Sequence, residues 1–145
     1  MFRNIVVAVD SSPTRHCATR TAGEMARMTG AKVHIVHVAE SAIAWDTVVR
    51  IEEDAAAGEI LGEALATLRD MGVAATGEVF PVAATQVPRV ISRAAEDVGA
   101  DLIVLGPHHR GSVAAFFSPR VSDAVSHTSR VAVLLVPEDG GPGQS

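Results

Sequence analysis

With a single cysteine, Cys17, the chain can form neither an intrachain disulfide nor a thiolate metal cluster, and that residue reads as a small, half-buried helix side chain. Lysine is equally scarce. Lys32 stands alone, no dense Lys/Arg run exists and the formal charge is -5, which argues against a surface built to neutralise nucleic-acid phosphates. No uninterrupted apolar segment approaches the length that spans a bilayer, so no membrane partner is expected. Met1-Phe2-Arg3-Asn4 runs straight into an apolar strand without a signal-peptide pattern, and a cytoplasmic location is the expectation. The 145 residues, 48% apolar and 20% charged, suit one compact domain, because two would each be small and poorly buried.

Within that domain, short continuous apolar runs alternate with amphipathic stretches. Ile5-Val6-Val7-Ala8-Val9 has the pattern of a strand buried on both faces of a parallel sheet, and it ends at Asp10. Ser11-Ser12-Pro13 then supplies a helix start, with Ser12 as N-cap and Pro13 at the first helical position. Ala18, Ala22, Met25 and Ala26 share a face of the helix, which Gly30 stops. Val33 to Val38 reads as the second strand and Ala39 to Asp46 as a connection. A long helix is expected from Thr47, with Glu52-Glu53-Asp54 in its solvated first half, Ile60, Leu61, Ala64, Leu65, Leu68 and Met71 as its apolar stripe, and Gly72 at its end.

Val73 to Val82 holds a less regular third strand. Pro88, Val90, Ile91, Ala94, Ala95 and Val98 mark a further helix stopped by Gly99, and Leu102 to Leu105 is the fourth strand. Ser118-Pro119 repeats the Ser-Pro start and opens a helix to about Thr128, before a last strand at Val131 to Val136. Five strands alternating with four helices give an open parallel sheet covered on both faces. The domain is expected to span residues 1–137, and Glu138 to Ser145, with nothing to bury, reads as a disordered tail.

In such sheets ligands bind beyond the carboxyl ends of the strands, where the winding reverses. Asp10, Val38 and Gly106 all fall at such ends. Gly106-Pro107-His108-His109-Arg110-Gly111-Ser112 follows the fourth strand, where a glycine-rich turn leading to a helix can wrap an anion with backbone N–H groups. Here the glycines are thinned, while His108, His109, Arg110 and Arg120 bring charge that side chains could offer to a phosphate instead. Phe116-Phe117 reads as core or dimer packing. Asp10 can cap the nearby helix. Ser11 and Ser12 read as caps, since no Gly-Xaa-Ser-Xaa-Gly elbow surrounds them, and no catalytic residue is assigned. His34 and His37, three apart in a strand, point to opposite faces and cannot share a metal. The adjacent His108-His109 pair has no Cys, Asp or Glu cluster in its loop, so no metal site is expected either.

Taken together, the opening Ile5-Val6-Val7-Ala8-Val9-Asp10-Ser11-Ser12, the strand end Val36-His37-Val38, the run from Gly99 to Gly106, and Val121-Ser122-Asp123-Ala124-Val125 before Val131 to Val136 resemble the universal stress protein family. The resemblance covers roughly Phe2 to Val136. It implies a Rossmann-like fold of the adenine nucleotide alpha hydrolase kind, strand order 3-2-1-4-5, and a homodimer joined along Val131 to Val136, an apolar edge strand that needs a partner. It also implies a nucleotide site at Asp10, Ser11, Val38, Gly106, His109, Arg110, Arg120, Val121 and Ser122, in which Asp10, instead of only capping the helix, receives a ribose hydroxyl or the adenine amino group.

Family members that bind ATP carry Gly, two residues, Gly, nine residues, Gly, then Ser or Thr. From Gly106 this chain instead places His109, Pro119 and Arg120 at the last three positions. His109 adds a side chain where close backbone approach is wanted, Pro119 removes an N–H, and Arg120 replaces a short hydroxyl. The leading expectation is therefore a non-enzymatic, dimeric binding or regulatory module of the stress response that is not a standard ATP binder. The alternative is an adenine-nucleotide sensor holding ATP or AMP through an adapted phosphate loop, and the third reading is a slow ATPase or autophosphorylating protein.

Overall fold

The computed structural model of the chain describes residues 2–12, 15–44, 47–50, 54–83, 86–106, 124, 125, 127 and 130–136. Nine elements are assigned among them: β1 (Asn4–Val9), α1 (Arg15–Thr29), β2 (Lys32–Ala44), β3 (Thr47–Arg50), α2 (Asp54–Asp70), β4 (Ala75–Val82), α3 (Val87–Asp97), β5 (Leu102–Leu105) and β6 (Ala132–Leu135). Five of these strands form the expected parallel sheet in the order β4-β2-β1-β5-β6, which is 3-2-1-4-5 when those five are numbered along the chain.

Strand β1 occupies the centre because nothing on it tolerates water. Ile5, Val6, Val7, Ala8 and Val9 are all buried. Its alternate side chains feed two cores, as the two-residue period of a strand requires. Ile5, Val7 and Val9 pack with Val33, Ile35, Leu102 and Val104 against Ala18, Ala22 and Ala26 of α1 and Ala64 and Leu68 of α2. Val6 and Ala8 pack with Val36, Val38, Ile103 and Leu105 against Val87, Ile91, Ala94 and Ala95 of α3, with Val125 on the same side.

Small residues let the helices sit close. A Cβ on Gly23 of α1 would lie 2.7 Å from Met71 Sδ, and one on Gly77 of β4 would lie 2.5 Å from Leu61 Cδ1 of α2. Helices α1, α2 and α3 are each followed by a glycine at positive φ, Gly30, Gly72 and Gly99. In each case the next residue donates back to the helix: Ala31 to Ala26 O, Val73 to Leu68 O and Ala100 to Ala95 O, a left-handed helix stop that only glycine adopts without strain.

The stretch after Val38 departs from expectation. Strand β2 does not stop there but continues to Ala44 and pairs antiparallel with β3, from Ser41↔Arg50 to Ala44↔Thr47. Helix α2 begins only at Asp54. The long helix expected from Thr47 was an extension backwards of the stripe that starts at Ile60, whereas Thr47-Val48-Val49 is a β-branched run suited to a pleated strand. Glu52 and Glu53 lie outside the described residues. So do Pro13, Phe116, Phe117, the Ser118-Pro119 helix start and the 138–145 tail; of that last helix, Ala124, Val125 and His127 are helical. Cys17 is half-buried on α1 as expected.

The Asp101 carboxylate fixes the register of the central strands at their amino ends. Its Oδ2 accepts Arg3 N–H at 2.8 Å and its Oδ1 accepts Asn4 N–H at 3.2 Å, while Asp101 N–H donates to Asn4 O at 2.9 Å. Replacing it with alanine leaves two strand N–H groups to water. Asp101→Ala is expected to lower unfolding free energy by about 1–2 kcal/mol, and Asp101→Asn by about half as much because one acceptor remains. Urea denaturation measures both; equal stability of all three chains would remove the clamp from the account.

Candidate functional site

The crevice follows from how the helices cross the sheet. Helix α1 links β1 to β2 over one face and α3 links β4 to β5 over the other, so the winding reverses between β1 and β5, which are direct neighbours with Ile5↔Leu102 through Ala8↔Leu105. β1 leads into α1 on one face and β5 ends beside it at Leu105, so the reversal falls at the carboxyl ends of these two strands, where open α/β sheets take their ligands.

Asp10 stands at that point. It is 6% exposed, and its Oδ1 accepts Ser12 N–H at 2.8 Å, an Asx turn in which a short carboxylate mimics a backbone carbonyl. Asp10 therefore organises the turn into α1, in line with the capping reading, while sitting at the mouth of the crevice that the binding reading requires. Ser11 is exposed on this turn and Ser12 is buried; Ser12 O accepts Arg15 N–H at 3.1 Å. Gly106 is buried directly after β5, where Val136 N–H donates to Leu105 O at 3.0 Å.

Val38 is placed differently from the expectation that it ends its strand. It lies inside β2, paired with Phe80 of β4. Pairing with β1, however, stops at Val9↔His37, so Val38 is the first β2 residue beyond the central strand and remains beside Asp10. Of the expected site, Asp10, Ser11, Val38 and Gly106 are thus brought to one end of the sheet. His109, Arg110, Arg120, Val121 and Ser122, and the neighbouring His108 and Pro119, lie outside the described residues.

Arg15 joins this end of the sheet and was not singled out from the sequence. Its Nη1 donates to Ser12 O at 3.0 Å and Ser11 O at 3.3 Å, and its Nη2 meets Glu63 Oε2 of α2 at 3.4 Å. Glu63 also faces His16 Nε2 at 3.3 Å. The guanidinium thereby braces the turn that carries Ser11. The only sequence signal was an arginine three residues after Ser12; Glu63 is too distant in the chain to be read as its partner.

His34 and His37 occupy opposite faces, as their spacing predicts. His37 is completely buried, and His34 sits between Thr76 and Glu78 on the other face. No group of three or more His, Cys, Asp or Glu side chains suited to a metal occurs among the described residues, and no described helix is long and apolar enough to cross a membrane.

A parallel sheet of order 3-2-1-4-5 with helices on both faces, and Asp10, Val38 and Gly106 at the carboxyl end of its central strands, defines a Rossmann-like α/β protein with a candidate site at the switch point. The chain belongs to the universal stress protein family, whose model matches residues 1–137. No curated protein matches the sequence. Among solved structures, a universal stress family protein from Burkholderia pseudomallei is 29% identical with a TM-score of 0.72, the match covering 92% of this chain and 95% of that one. The universal stress protein of Archaeoglobus fulgidus is 25% identical with a TM-score of 0.71, covering 94% of each chain. A universal stress protein in complex with cAMP is 23% identical with a TM-score of 0.71, covering 95% of this chain and 98% of that one.

The two duties of Asp10 separate by substitution. Asp10→Ala leaves the buried Ser12 N–H without its acceptor and is expected to cost about 1–3 kcal/mol of stability, whereas Asp10→Asn keeps an amide oxygen there and is expected to cost less than about 1 kcal/mol. Chemical unfolding of the two variants is the check; an asparagine variant as unstable as the alanine one would mean that charge, and not the Asx turn, matters.

Proposed function

We infer that this chain is a cytoplasmic, non-enzymatic regulatory module that binds an adenine nucleotide of the monophosphate class at the β1/β5 crevice. The observation carrying this reading is the split between the two ends of the site. Asp10, Val38 and Gly106, the nucleoside end, are held together by the central strands, while the sequence replaces the glycines and hydroxyl of the triphosphate loop with His109, Pro119 and Arg120. A chain that keeps the first and alters the second favours ligands with fewer phosphates, because flexible side chains do not replace a pre-organised nest of N–H groups.

Three of the similar structures support the class. One universal stress protein is in complex with cAMP, a second Archaeoglobus fulgidus structure is in complex with dAMP, and one from Arabidopsis thaliana has AMP bound. The last two are 24% and 20% identical to this chain. In this chain the carboxylate of Asp10 is the group to receive a ribose hydroxyl or the adenine amino group, and Arg110 and Arg120 are the cations nearest in sequence to meet a single phosphate.

Isothermal titration calorimetry tests the order of preference. AMP and cAMP are expected to bind more tightly than ATP, and Asp10→Asn to weaken AMP by roughly tenfold, the equivalent of one charge-assisted hydrogen bond. Tight, magnesium-dependent ATP binding would overturn the monophosphate reading; no heat with any adenine nucleotide would remove the nucleotide reading altogether.

The homodimer belongs to the same proposal. β6 pairs with β5 alone among the described residues and leaves Leu135 49% exposed, an apolar sheet edge of the kind that a second copy covers. Light scattering is expected to give about twice the 15.1 kDa chain mass, with Leu135→Lys shifting the population toward monomer. A wild-type mass of one chain would contradict this edge as an interface.

A further inference from the structure

At the opposite end of the sheet from Asp10 and Gly106, the amino ends of β1, β2 and β4 and the end of α3 border an open surface pocket of about 240 Å³, lined among others by Asn4, Lys32, His34, Thr76 and Val98. Two of its lining side chains are joined to a third in a row. His34 Nδ1 lies 2.7 Å from Thr76 Oγ1, and His34 Nε2 lies 3.0 Å from Glu78 Oε2.

Strand geometry produces the row. His34 pairs with Thr76 and Val36 with Glu78 in the parallel β2/β4 ladder, so Thr76 and Glu78, two apart, project from the same face as His34. The imidazole is 13% exposed, the Glu78 side chain 55%. An ionised carboxylate only accepts hydrogen bonds, so Glu78 takes the Nε2–H. With the ring neutral, Nδ1 is then a lone pair aimed at the Thr76 hydroxyl. Hydroxyl, imidazole and carboxylate in this order form the relay that raises the nucleophilicity of an otherwise inert alcohol.

We propose that Thr76 is a covalent modification site, a hydroxyl activated by His34 and Glu78 to accept an acyl group from a small donor with an anionic leaving group, such as an acyl phosphate. Thr76 Oγ1 attacks the carbonyl carbon and forms the ester bond as the bond from that carbon to the leaving oxygen breaks. The hydroxyl proton passes to His34 Nδ1 and from there to the departing phosphate, while Glu78 stabilises the transient imidazolium. Lys32, the one lysine of the chain, lines the same pocket and contributes positive charge toward an anionic donor, and Val98 offers an aliphatic wall for a short acyl chain. The site is independent of the nucleotide reading, since it shares no residue with the β1/β5 crevice.

Incubating the full chain with acetyl phosphate, or in a second arm with p-nitrophenyl acetate, and mapping peptides by mass spectrometry tests the assignment. Thr76 is expected to become acetylated, with the initial rate falling by roughly a hundredfold in His34→Gln and roughly tenfold in Glu78→Gln, and persisting in Thr76→Ser. Glu78 is far more exposed than His34, so its variant reads the mechanism even where His34→Gln disturbs folding, which circular dichroism reports. Acetyl groups confined to Lys32 or the amino terminus, or Thr76 acetylated at the wild-type rate in Glu78→Gln and in a folded His34→Gln, would overturn the proposal.

Discussion

Everything in this fold hangs on the burial of β1 from both faces and both edges. A strand that is apolar at every position from Ile5 to Val9 has no side to show to solvent, so it must take the middle of a parallel sheet, with β2 and β5 as neighbours and helices above and below. Once β1 is central, the reversal of winding falls beside it, and the first polar residue after the run, Asp10, is delivered to the crevice. The position of the candidate site is thus a by-product of the core, set by five buried aliphatic side chains.

Two carboxylates pin the ends of that central strand in different ways. Asp101 holds the amino end by accepting the N–H groups of Arg3 and Asn4 from the neighbouring strand. Asp10 holds the carboxyl end by closing the turn to Ser12. The second pin shows how one residue can serve the scaffold and also the proposed site. A carboxylate ordered by its own turn has already lost its conformational freedom before any ligand arrives, which lowers the entropic cost of binding. Arg15 strengthens the arrangement by gripping the carbonyls of the same turn and linking them through Glu63 to α2.

Much of this was legible in the sequence because the signals are local. The buried strands at Ile5 to Val9 and Leu102 to Leu105, the glycine stops at Gly30, Gly72 and Gly99, and the opposed faces of His34 and His37 all follow from a period or a backbone conformation that a few adjacent residues specify. The β2–β3 hairpin was missed for a related reason: helical periodicity established at Ile60 to Met71 was carried back across Thr47-Val48-Val49, whose β-branched side chains argue for a strand. The position of Asp10, Val38 and Gly106 at one end of the sheet could be read from the strand ends and the resemblance together, although Val38 turned out to lie within a longer strand. Partnerships across the fold were not legible. Arg15 with Glu63, and His34 with Thr76 and Glu78, join side chains more than forty positions apart, and nothing in the local sequence of either partner announces the other.

In the proposed function a nucleoside monophosphate sits at the carboxyl ends of β1 and β5, held at its nucleoside end by residues that the core positions. Titration of the isotope-labelled chain with AMP, followed by backbone amide NMR, tests the location directly. Saturable shifts are expected at Asp10 to Ser12, Val38 and Gly106, with the amides of Lys32 to His34 and Thr76 at the far end unmoved. Shifts centred on the far end, or none at saturating AMP, would contradict the proposed function.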